Sequence, residues 1–159
     1  AGGAPQMLAD APNGRGGNWS AEGVILFAPD VFGPLSQVPA TGGKSVPASA
    51  LDPKRHQATH RFPVFLPDGR HFVSLNRLHD SISIFKVDAR TGAPTLVREE
   101  WSRGNYPRSC TLDPSGRFLY VCHNKQGDNV TVFRVQKGNI HFTGQYVAVG
   151  SASAIEFSA

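Results

Sequence analysis

The sequence has 159 residues, the length of one ordinary domain, and its 40% hydrophobic and 18% charged content excludes a disordered chain. Seventeen glycines and twelve prolines exclude a helical bundle and suit a chain of many turns. The formal charge of +4 does not define a nucleic-acid binder, because Arg15, Lys44, Lys54, Arg70, Arg90, Arg103, Arg117 and Lys137 are scattered, mostly at turns. No apolar stretch approaches the roughly 20 residues of a membrane helix, so neither nucleic acid nor membrane is an expected partner. The chain starts at Ala1, and its compartment is not readable from that end.

In chain order, Gly2-Gly3 followed by Pro5–Asp10 matches Gly42-Gly43 followed by Ser45–Ser49, which predicts a lone outer strand at the start. Gly14-Arg15-Gly16-Gly17 lacks the Lys-Ser/Thr of a phosphate loop and reads as the lead into a first repeat unit. That unit has strands at Asn18–Ser20, Val24–Phe27 and Pro34–Pro39, then the outer segment Ser45–Ser49. His56 and His60 have a spacing that could suit a metal, but no Cys or carboxylate stands in ligand register, and they read as surface histidines. A second unit begins at Val64–Leu66, turns at Pro67-Asp68-Gly69, and continues through Arg70–Val73, the alternating Ser81–Asp88 and the polar Thr95–Glu99. A third begins at Thr111-Leu112, turns at Pro114-Ser115-Gly116, and continues through Arg117–Val121, Asn129–Val135 and His141–Val147. Ala154–Ser158 looks like the first strand of a fourth unit.

Gly23, Gly69 and Gly116 recur at roughly 46 residues, the period of propeller blades. In each turn Pro or its neighbour sets an early φ and Gly accepts a positive one. The predicted fold is therefore all-β: about three four-stranded antiparallel β-propeller blades, plus a lone N-terminal outer strand and a lone C-terminal inner strand. Cys110 and Cys122 are too few for a disulfide framework and read as buried free thiols.

Residues 1–73 resemble TolB-type propeller repeats through Leu8–Pro12, Trp19-Ser20, Val38–Gly43 and Phe65–Phe72. Residues 74–159 resemble the seven-bladed 6-phosphogluconolactonase-type propeller through Asn76–Ile82, Pro107-Arg108-Ser109, Leu112–Leu119 and Asp128–Phe133. The change falls inside one blade, so the expectation is a single 1–159 propeller-fragment domain that is a designed or recombined chimera.

The lactonase resemblance implies a hydrolase site at one mouth of the central channel, with family-matching positions at Asn76, Arg77, His79, Asp80 and Arg108. Arg77 or Arg108 would grip a phosphate through its guanidinium fork, and His79 would move a proton. Ser109-Cys110 departs from the bulkier pair common in that family, and the residue types at 76, 79 and 80 also fit plain loop structure. Three readings compete. The preferred one is an artificial fragment that closes a ring by self-association, a dimer first, without catalysis, cofactor or metal. The alternatives are a lactone hydrolase and a ligand- or protein-binding propeller module.

Overall fold

The computed structural model describes residues 4–125 and 129–158; the Gly2-Gly3 and Asp128 positions used above lie outside the described residues. Twelve strands form three four-stranded antiparallel sheets, each a meander in chain order. The first sheet holds β1 (Gly17–Trp19), β2 (Val24–Phe27), β3 (Ser36–Pro39) and β4 (Val46–Pro47). The second holds β5 (Arg61–Phe65), β6 (His71–Asn76), β7 (Ser81–Val87) and β8 (Pro94–Trp101), and the third β9 (Asn105–Leu112), β10 (Phe118–Lys125), β11 (Asn129–Gln136) and β12 (Asn139–Ala148). A single 3₁₀ turn at Pro53–Arg55 lies between the first two sheets. These are the three blades predicted from the repeat.

The period-two alternation of β7 assigns its residues to two faces. Phe85 packs with Phe72, Leu26, Ala28, Leu35 and Ala48 toward the first blade, while Ile82 and Ile84 join Leu119, Val121, Phe133 and Ile140 toward the third. Phe72 and Phe85 stack at 4.8 Å between ring centroids. Burying side chains of this size stabilises by about 1.5–3 kcal/mol each, so the sheet-to-sheet seams hold the blades together.

The extra strands expected at the two ends do not form. Residues 4–16 and 149–158 contain no strand. The C-terminal stretch nevertheless lies where a following inner strand would: Ala152 and Ile155 pack against Cys122, Val130 and Tyr120, and Phe157 meets Tyr120 edge-on at 5.2 Å. Inner-strand residues were recognisable in sequence, but a strand needs a partner on its own sheet, and none is present beside these residues.

Both cysteines are free thiols, as expected. Cys110 opposes Val121 and Cys122 opposes Ser109 across the β9–β10 pair, so the two side chains project from opposite faces of one sheet and cannot bridge.

A cationic mouth at the start of the inner strands

The first strands β1, β5 and β9 lie side by side and form the inner wall. A groove of about 340 Å³ runs along it, lined by Gly16, Asn18, Phe62, Val64, Cys110 and Leu112 among others. The blades are joined across this wall: the Phe62 amide donates to the Arg15 carbonyl at 3.0 Å, and the Cys110 thiol donates to the Phe62 carbonyl at 3.6 Å.

Each inner strand begins with a kink. Gly16, Phe62 and Tyr106 occupy matching places, in Arg15-Gly16-Gly17, Arg61-Phe62-Pro63 and Asn105-Tyr106-Pro107, and all three have positive φ (87°, 49° and 60°). On β5 a register shift spans the kink at Phe62, and on β9 one falls two residues after Tyr106, at Arg108, each with one more residue on the inner strand than on its partner. Such bulges re-aim side chains at the rims of closed sheets. Here they aim basic residues at one end of the wall.

That end collects Arg15, Arg61, Arg77, Arg108 and Lys125. The Arg77 guanidinium carbon lies 3.9 Å from the centre of the Tyr106 ring, and the Lys125 ammonium lies 4.2 Å from it. Asp80 holds the main chain at this point: its Oδ1 accepts from the Tyr106 amide at 2.7 Å, and Asp80 itself has φ of 52°. Burial lowers the pKa of Arg77, and Arg108 and Arg15 push the same way against the Tyr106 phenol. Burial likewise lowers that of Arg61, helped by Arg77 and Arg15. Arginine stays protonated regardless, so the lowered values report crowded positive charge. Among the described residues no salt bridge neutralises any of the five.

Of the residues nominated from sequence, Arg77, Asp80 and Arg108 are thus brought to one cluster. His79 is not. It is exposed on the same loop, with Nδ1 hydrogen-bonded to Ser81 Oγ at 2.9 Å. Ser81 leads through Asn76 to Glu99, by bonds of 2.8 and 3.0 Å. Glu99 also accepts from Arg55 at 2.7 Å and from Gln57; although burial pushes its pKa up, these bonds and the nearby His79 hold it below the usual carboxylate range. Asn76 is therefore a buried structural residue at the seam between the first two blades.

His60 is no surface histidine. It is 1% exposed, with Nδ1 bonded to Ser49 Oγ at 2.8 Å and its ring edge-on to Phe85 at 5.4 Å. Burial drives its pKa down to about 4, against a smaller upward pull from Glu99. The described residues hold no cluster of three metal-ligating side chains.

Arg15, Arg61, Tyr106 and Lys125 were missed in sequence. Two signals could have found them: a basic residue directly before the kink in both Arg15-Gly16 and Arg61-Phe62, and the repeated Asn76-Arg77 and Asn124-Lys125 pairs that close the second strand.

Three antiparallel four-stranded blades, with basic residues gathered at the start of their inner strands, define a β-propeller architecture. The sequence profile described as "Lactonase, 7-bladed beta-propeller" matches residues 49–157. The chain belongs to this lactonase family. It is 35% identical over 94 residues to a 6-phosphogluconolactonase of Formosa agariphila, covering 57% of this chain and 26% of that one. It is 32% identical over 93 residues to a 6-phosphogluconolactonase of Bacillus subtilis, covering 58% of this chain and 25% of that one. The solved structure of the periplasmic gluconolactonase PpgL of Pseudomonas aeruginosa is similar over 94% of this chain and 43% of its own, with a TM-score of 0.76 and 25% identity. The chain thus spans about a quarter of the length of these curated relatives.

These findings correct the chimera. The lactonase match starts at residue 49, inside the stretch assigned to TolB-type repeats, and the PpgL likeness runs through nearly the whole chain. Trp-Ser and Leu-Pro-Asp-Gly misled because blade geometry demands a tight turn before a buried strand in any propeller, whatever its family. The reading as an artificial fragment without activity falls for the same reason: homologues named for lactone hydrolysis favour the hydrolase alternative.

Proposed function

We propose that this chain contributes three blades and a substrate-gripping mouth to a hydrolase of phosphorylated sugar lactones. The observation that carries this reading is the set of guanidinium groups of Arg77, Arg108, Arg15 and Arg61 around Tyr106, unneutralised among the described residues, in a chain whose curated relatives are named 6-phosphogluconolactonase. Arginine forks suit phosphate oxygens, and Arg77 and Arg108, both half-buried, are the members assigned to present them. The reaction adds water to the lactone carbonyl, breaks the bond from that carbon to the ring oxygen, returns a proton to that oxygen and leaves a carboxylate. Asp80, whose Oδ1 accepts from the Tyr106 amide, is assigned the proton from the attacking water. Positive charge at the mouth stabilises the oxyanion that develops at the carbonyl.

The test follows ring opening of 6-phosphogluconolactone by continuous neutralisation of the released acid with base, corrected for spontaneous hydrolysis, with unphosphorylated gluconolactone alongside. Catalysis above background with preference for the phosphorylated lactone is expected. Arg108→Ala should lower kcat/KM by about 10- to 100-fold, the worth of a charge-assisted hydrogen bond. Equal rates on the two lactones, or an unaffected Arg108→Ala, would refute the phosphate grip.

A further inference from the structure

One cation of the mouth differs from the rest. Arg15, Arg77 and Arg108 are half-buried and Lys125 is exposed, whereas Arg61 is 2% exposed. Its guanidinium is tied down: Nε donates to Thr59 Oγ1 at 2.8 Å and Nη2 donates to the Val31 carbonyl. Nη1 is buried without an acceptor, and the Phe32 ring stands 6.0 Å from the guanidinium carbon. All these partners are neutral, so the bonds fix the group in place and leave its charge uncancelled. Arg15 and Arg77 are its cationic neighbours, and Arg15 is held there by the amide of Phe62, the residue after Arg61.

Salt separates the contributions of such groups. Exposed charges are screened over about 8 Å at physiological ionic strength, while buried ones are screened much less. Exposed Lys125 and half-buried Arg15, Arg77 and Arg108 therefore lose more of their pull as salt rises than a fully buried Arg61 does. We propose that Arg61 is a positioning residue: the buried, tethered charge that keeps the mouth an anion site at physiological salt and holds an oxyanion in reach of the Arg77 and Arg108 forks. The oxyanion can be the phosphate of a substrate or the carboxylate released by lactone opening; only this identity rests on the hydrolase reading.

Calorimetric titration of the protein with inorganic phosphate, and separately with gluconate, from low to physiological salt, tests the proposal. Arg61→Met should bind phosphate about tenfold more weakly at physiological salt, with a salt dependence at least as steep as before. Arg77→Met should also bind more weakly, but with a shallower salt dependence, because a direct phosphate contact is lost. Arg61→Lys, which keeps the charge, should recover much of the affinity, an outcome that a purely structural tether would not give. Phosphate binding that is indifferent to Arg61→Met at every salt would overturn the proposal, as would Arg61→Lys binding no better than Arg61→Met. Should Arg61→Met fail to show a thermal unfolding transition, Thr59→Ala loosens the tether while keeping the charge; a severalfold weaker affinity with an intact unfolding transition supports the proposal and an unchanged affinity overturns it. Stronger binding of phosphate than of gluconate marks the substrate group, and the reverse marks the product carboxylate. A protein that binds phosphate through Arg61 yet opens no lactone sinks the hydrolase reading alone; hydrolysis without any Arg61 dependence of binding sinks this proposal alone.

Discussion

Two glycines with nearly the same backbone angle separate the cost of a left-handed turn from the cost of blade packing. Gly92, in the turn between β7 and β8, has φ of +69° and no heavy atom within 4 Å of where a Cβ would stand. Gly116, in the turn between β9 and β10, has φ of +68°, but an added Cβ would lie 2.5 Å from Cγ and 3.3 Å from Cβ of Pro67, in the equivalent turn of the preceding blade. Placing alanine at either site carries the left-handed penalty of about 1–2 kcal/mol. At Gly116 the methyl must also displace a proline ring that has no rotamer to escape into, and overpacking of this kind costs about 1–3 kcal/mol more. Gly92→Ala should therefore lower stability by about 1–2 kcal/mol and Gly116→Ala by about 2–5 kcal/mol, read as the shift in urea midpoint at constant slope. If the two variants lose the same amount within about 0.5 kcal/mol, the turns do not pack blade against blade and the inter-blade reasoning fails.

Further consequences can be checked in the same protein. Tyr106→Ala should raise KM for a phosphorylated lactone and reduce thermal stability, because Arg77 and Lys125 lose their shared ring face, whereas Tyr106→Phe should retain both properties; steady-state kinetics and melting curves decide. The His60 ring titrates near 6.5 when the chain is unfolded but near 4 when folded, so between these values the unfolded state binds more protons and stability falls as pH falls. The loss from this group should reach about 3 kcal/mol by pH about 4, and denaturation midpoints followed from neutral to acid pH should show that slope weakened in His60→Gln. Burial, with a smaller push from Cys122, raises the Cys110 thiol to about 12, so at neutral pH it should resist alkylation in the native state and react only on unfolding, as mass spectrometry after a brief iodoacetamide exposure would show.

The blades were legible in sequence because their determinants are local. Pro-Asp-Gly at 67–69 and Pro-Ser-Gly at 114–116 mark the turns, and the alternation in Ser81–Val87 assigns side chains to two faces, both buried over Ser81–Phe85. The terminal strands were overread for the opposite reason: Pro5–Asp10 and Ala154–Ser158 carry strand-like composition, but pairing is a property of the neighbouring strand and is not encoded within the segment. His60 was misplaced because its burial depends on Phe85 and Ser49, which approach it only when two blades dock. The candidate site was half visible. Arg77 and Arg108 came from motif resemblance, while Arg61 and Tyr106 sit at kinks that no composition rule marks, since neither Phe62 nor Tyr106 is a residue expected at positive φ.

That strain connects the repeat to the chemistry. A non-glycine residue held at positive φ persists where its surroundings over-determine it, and such positions gather at functional sites. Gly16 takes up the conformation without steric cost in the first blade, yet Phe62 and Tyr106 adopt it in the next two, each followed by a proline that forbids a ladder bond at that point. The kink thus interrupts the inner ladder at the same height in successive blades and turns the neighbouring side chains toward one end of the wall. Because blades are copies, a basic residue at one such position adds to its counterpart in the next, and charges remote in sequence accumulate at a single mouth. Repetition alone would place Arg15 and Arg61 in register; the kink that follows each, at Gly16 and Phe62, turns both toward the same end. The cationic end is on this view a product of the fold's own period, and the proposed grip on a substrate anion is a use of that end which was not needed to build it.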